Sequence, residues 1–213
     1  MKTDDLIEML GTHVEPVDRR TIMRTVGIAI GAGGLAALAL MLLLFGVRAD
    51  VTSTRAWLFC VAKLAFTLAL VVPAFVYLTR LARPGGERTV SVTLLVAPFI
   101  AAVLVAAGSL AVAPRAHWDT MIAGERWLEC VLSIPIIAIV PFATIIWALR
   151  QTAPTDLVRA GALGGLLAGA ISATGYALHC MDDSVPFVAL WYGGAIVACT
   201  IVGAVLGPRL LRW

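Results

Sequence analysis

Residues 158–180 read Val-Arg-Ala-Gly-Ala-Leu-Gly-Gly-Leu-Leu-Ala-Gly-Ala-Ile-Ser-Ala-Thr-Gly-Tyr-Ala-Leu-His-Cys. One charge, Arg159, stands at its start, and the rest is small or apolar until His179. A bilayer core about 30 Å thick takes roughly 20 helical residues at about 1.5 Å each. The stretch therefore predicts a membrane-spanning helix. Gly161, Gly165, Gly169 and Ala173 recur at intervals of four, with Gly164 and Ala168 beside them. Such a stripe lets a second helix approach closely, and close packing drives helix association in lipid. The stripe can serve a dimer face or internal packing within one bundle. The internal reading carries more weight.

Working outward, apolar runs of the same length recur over 25–47, 57–79, 90–112, 130–149 and 186–206. Hydrophobic residues make up 61% of the 213, and charged residues 14%. Soluble domains carry about 25% charged residues, so a soluble fold is excluded. The predicted fold is all-α and polytopic, with six transmembrane helices in one bundle. The domain division is an N-terminal segment 1–24, a membrane domain 25–207 and a tail 208–213. The first span is too long for a signal-peptide core and its leader is acidic, so it reads as a retained anchor.

Charge sets the orientation. With six spans, Lys2, Arg19, Arg20, Arg24, Arg80, Arg83, Arg88, Arg150, Arg159, Arg209 and Arg212 share one side. Arg48, Arg55, Arg115 and Arg126 fall on the other, and Lys63 lies within a span. An 11-to-4 bias marks the first side as cytoplasmic, with both termini there. Cys130 opens the fourth span and Cys180 follows the fifth, so both thiols are expected at the outer face. In a bacterium that compartment is oxidising.

The candidate chemistry follows from that placement. Cys130 stands beside Glu129, and Cys180 lies in His179-Cys180-Met181-Asp182-Asp183. Consecutive spans four and five bring the thiols to equal depth. Three readings stay open: a reversible disulfide, a soft-metal site using both thiolates with His179 and Asp182, or two inert thiols or a permanent bridge. Lys63 is an intramembrane charge with Glu129, Asp182 or Asp183 as partners. Pro135 and Pro141 are expected to kink span four. No CxxC pair, HExxH, GxSxG or phosphate loop occurs. Catalysis is therefore not expected, and no resident cofactor is called for.

The N-terminal segment opens Lys2-Thr3-Asp4-Asp5-Leu6-Ile7-Glu8. Thr3 is a suitable N-cap, and the two aspartates suit the first turn of a short helix. Too short to stand alone, this helix would fold by docking on the bundle or on a basic groove of a partner.

These pieces resemble the NrsF-type membrane anti-sigma factors, negative regulators of sigma F. The resemblance is carried by the opening Lys2 to Ile7, Trp127-Leu128-Glu129-Cys130 with Ile134-Pro135, and Ala148-Leu149-Arg150 with Ala153-Pro154. It continues through Tyr176-Ala177-Leu178-His179-Cys180 with Asp182 or Asp183, Phe187, Trp191-Tyr192 and Leu211-Arg212-Trp213. The family often shows Pro-Glu-Asp where this chain has Met181-Asp182-Asp183. The resemblance implies an inner-membrane protein that holds an extracytoplasmic-function sigma factor. Cys130 and Cys180 would sense oxidants or a transient heavy-metal ion, with His179, Asp182, Asp183 and Glu129 tuning them. Asp4, Asp5, Leu6, Ile7 and Glu8 would contact the sigma factor. Membrane lipid surrounds such a chain, nucleic acid is not a direct partner, and a homodimer is compatible. A small transporter using Lys63 and a membrane thiol-redox protein are the rival classes. The first lacks a second intramembrane charge, and the second lacks a CxxC pair.

Overall fold

The computed structural model describes residues 19–50, 53–82, 92–152 and 154–212. Six helices are long and apolar enough to cross a membrane, and among the described residues there is no strand. We label the helices α1 (Arg19–Leu44), α2 (Thr54–Leu81), α3 (Thr93–Val112), α4 (Trp118–Ala123), α5 (Trp127–Arg150), α6 (Leu157–Tyr176) and α7 (Val185–Leu210). All but α4 are of span length. The N-terminal residues Asp4, Asp5, Leu6, Ile7 and Glu8 lie outside the described residues.

Local chemistry marks several helix starts. Ser53 accepts the Ala56 N–H at 3.1 Å, and Asp156 accepts the Arg159 N–H at 2.9 Å. Both are N-caps, each satisfying a donor that the helix leaves orphaned. Within the spans, Thr67, Thr144, Thr174 and Thr200 return their hydroxyls to carbonyls one turn back. That satisfies the hydroxyl where no water is present. α5 continues as helix through Pro135 and Pro141.

α6 is the most buried span and α3 the least. α6 packs on α1, α2, α5 and α7, and its closest neighbour is α7. The glycine stripe explains this. A Cβ on Gly161 would strike the Gly203 carbonyl oxygen, and one on Gly165 would strike that of Cys199. Gly203 and Gly207 answer from α7, against Gly161 and Leu157. Two backbones are in contact along this seam, so the stripe is used within one chain. Gly33 plays the same part where α1 crosses α5, against Pro141 and Thr144.

Two features depart from the six-span expectation. Segment 113–126 folds as a 3-10 turn at Arg115–His117 followed by α4, where the sequence shows only a polar stretch. α7 opens with a helical turn at Val185–Phe187 and then a π turn at Val188–Tyr192. It then runs on to Leu210, past the expected end at 206.

Candidate sensor site

Cys130 and Cys180 are both free and both buried. Cys130 sits in the first turn of α5, its N–H bonded to the Arg126 carbonyl at 3.1 Å. Cys180 follows α6, its N–H bonded to the Tyr176 carbonyl at 3.0 Å. Cys180 lies near enough that charge on it is felt at Cys130. Tyr176 and Tyr192 are buried in the same core cluster as both thiols. Their rings stand 6.1 Å apart, and both hydroxyls are buried without a hydrogen-bond partner. The Tyr192 hydroxyl lies beside Cys180 without completing a hydrogen bond to it. The thiols, expected at a watery rim, are sealed inside.

Residues 180–184 form the hub of the sealing structure. The Cys180 carbonyl accepts from Lys63 Nζ at 2.9 Å and from Arg48 Nη1 at 3.2 Å. Asp183 accepts from Arg48 Nη1 at 3.0 Å and Nη2 at 2.8 Å, and from Lys63 Nζ at 3.1 Å. Arg48 also grips Asp50, through Nε at 2.6 Å and Nη2 at 2.8 Å. Asp182 turns the other way and accepts the N–H groups of Glu125 and Arg126 at 3.2 and 3.1 Å. Those donors lead into α5, where a carboxylate also suits the helix dipole. Ser184 donates to the Met121 carbonyl in α4. The chain after α1, the helices α2 and α4, and the turn leading into α5 are thus tied to one short loop.

The electrostatics balance. Arg48 and Lys63 have side chains 1% exposed, and a lone cation there would be costly. Asp183 and Asp50 neutralise them. Burial pushes the Asp183 carboxyl up, but the bonds from Arg48 and Lys63 outweigh this and hold it below the ordinary carboxylate value. The hydrogen bond from Arg48 likewise lowers Asp50, and the two carboxylates raise Arg48. Arg48 is the largest omission from the sequence reading. Nothing in the chain links it to an aspartate 135 positions away.

A cover closes the site. Gly124 ends α4 at φ +61, where a Cβ would strike the Phe187 ring. Trp191 Nε1 donates to the Ile122 carbonyl at 2.8 Å and its ring stacks on Trp127 at 4.9 Å. The π turn carries Trp191 and Tyr192, so one irregular turn supplies both cover and chamber wall. Such turns cluster at functional sites.

The other expected residues are placed elsewhere. His179 packs between Phe45 and Tyr176, with Nδ1 3.3 Å from the Gly46 carbonyl. Glu129 pairs with Arg126 at 3.3 Å on the surface. Among the described residues no three His, Cys, Asp or Glu side chains converge as metal ligands. What the arrangement offers chemically is two buried thiols in the same part of the core as two buried phenols.

The family model described as negative regulator of sigma F matches residues 10–213. A probable anti-sigma-F factor NrsF from Azospira oryzae is 32% identical over 213 residues, with both chains covered completely. The anti-sigma-F factor NrsF of Caulobacter vibrioides is 31% identical over 218 aligned positions, again across both whole chains. No solved structure matches. With nearly the whole chain matched by the family model and two full-length relatives above 30% identity, the chain belongs to the NrsF family of negative regulators of sigma F.

Proposed function

We propose that the chain is an inner-membrane anti-sigma factor that sequesters an extracytoplasmic-function sigma factor and releases it on oxidative or heavy-metal stress. Its role is regulatory, not catalytic. Both termini are cytoplasmic, following the arginine bias. Asp4, Asp5, Leu6, Ile7 and Glu8 form the sigma-binding face. Cys130 and Cys180 are the sensor thiols on the periplasmic side.

The observation that carries this reading is the hub at residues 180–184. Cys180 shares its backbone with the residues that hold α1, α2, α4 and α5 together. A hydroperoxide accepting two electrons and two protons from the thiols leaves a Cys130–Cys180 disulfide, an alcohol and water. A thiophilic cation instead displaces both thiol protons. Either event redraws the Cys180 geometry and hence the grip of Arg48 and Lys63. The conformational response is bounded by the free-energy difference between the two thiol states.

Binding is tested by co-purification. A sigma factor is expected with the wild-type chain and is expected to be lost with Asp4→Ala/Asp5→Ala. Absence of a sigma factor from the wild-type preparation overturns the function. Retention by the double variant overturns only the assigned contacts.

A further inference from the structure

α5 and α7 both lie on α6, and toward the Arg150 end they leave a lipid-facing cleft of about 470 Å³. Ala143, Trp147 and Arg150 form one wall, Ala198 and Val202 the other, and Ala168 lies at the floor. Trp147 and Val202 are exposed at 60% and 53%, so the cleft opens onto the bilayer. From Pro135 to Arg150 it follows α5 for roughly 22 Å, at about 1.5 Å per residue. One leaflet of hydrocarbon is about 15 Å deep, half of the bilayer core. The cleft therefore accommodates the full apolar depth of a leaflet.

Its length and its charged end decide the occupant. A groove of this width takes either an extended hydrocarbon chain or the side chains of another helix. An extended hydrocarbon chain is the slimmer alternative. At the membrane end, Arg150 donates through Nε to the Leu210 carbonyl, which fixes the guanidinium across the mouth of the cleft. Both Nη groups keep their donors free among the described residues. A guanidinium presenting two parallel donors suits a phosphate oxygen pair. Trp147 supplies the aromatic ring that favours the headgroup level.

We propose that this cleft is a lipid site, holding one acyl chain of an anionic phospholipid with its phosphate on the Nη groups of Arg150. The lipid bridges α5 and α7 at the end of the bundle away from the thiols. This site stands independently of the sensing function.

Native mass spectrometry of the full chain from mixed phosphatidylglycerol and phosphatidylcholine micelles tests it. The wild type is expected to keep one phosphatidylglycerol in preference to phosphatidylcholine. Arg150→Gln should lower that preference by about tenfold, the worth of a charge-assisted bond. Arg159→Gln, exposed and paired with Asp156 at 3.0 Å, should leave it unchanged. Ala143→Phe/Ala198→Phe, filling the cleft from its exposed walls, should abolish retention. Should that double variant not fold, Arg150→Gln decides alone. Equal retention of the two lipids by the wild type overturns the proposal. So does preference unchanged by Arg150→Gln, no bound lipid, or a dimer in place of the lipid.

Discussion

Asp183 is the residue on which two buried cations depend. Arg48 keeps Asp50 as a second partner, whereas Lys63 has Asp183 as its only carboxylate among the described residues. Breaking a buried pair by removing one member costs about 3–5 kcal/mol, because a charge is left uncompensated. Asp183→Asn should therefore lower the melting temperature of the detergent-solubilised chain strongly. Asp183→Asn/Lys63→Met should recover most of the loss, since replacing both charges is often near neutral. A double variant no better than the single one would show that the pair is not the source of the cost. The pH dependence follows from the same group. The folded Asp183 value lies below its ordinary 3.8, so its contribution is present above that value and lost as pH falls through the depressed one. Thermal stability should be insensitive to this group between about pH 5 and 8, and decline only below about pH 4. Asp183→Asn should lack that acid step. Lys63 was legible in the sequence as a charge requiring a partner, but Arg48 was not, because loop arginines look alike until the chain folds.

At the scale of elements, the α6–α7 seam is the strongest constraint. A side chain at Gly161 meets backbone on α7, which cannot yield as a flexible side chain can. Gly161→Val should prevent proper assembly, seen as loss of the monodisperse peak in size-exclusion chromatography. Gly27→Val should be tolerated, because nothing lies within 4 Å of a Cβ there. Equal behaviour of the two would contradict the packing. A close helix–helix contact was readable from the four-residue glycine spacing, whereas its partner, α7, emerges only from the fold. α4 and the π turn were not readable. α4 is six residues long and is held by contacts from Ser184 and Trp191, with Asp182 holding the turn that follows it. A π turn leaves no periodic mark in an apolar span. The same contacts bury Cys130 and Cys180, whose polar sequence neighbours had suggested water at their side.

Across the whole molecule, the thiols lie at one end of the six-helix bundle, opposite the start of α1 at Arg19 and the end of α5 at Arg150. Four of the spans converge on α6, while α3 stands at the edge with few buried residues. A change at the hub is therefore felt by α1, α2, α5 and α6 together. Turning a bound sigma factor from about 99% held to 99% free requires roughly 5.5 kcal/mol between the two thiol states. The ion-paired hub involves interactions of that order. Six span-length helices were legible because length and hydropathy act locally along the chain. Which loop locks the bundle was not, because it depends on contacts across 117 and 135 residues. The most direct measurement is sigma-factor retention on the immobilised full chain in membranes, before and after a hydroperoxide or cadmium. We expect release from the wild type and continued retention by Cys130→Ser and Cys180→Ser. Equal release from the wild type and both variants would contradict sensing by this thiol pair.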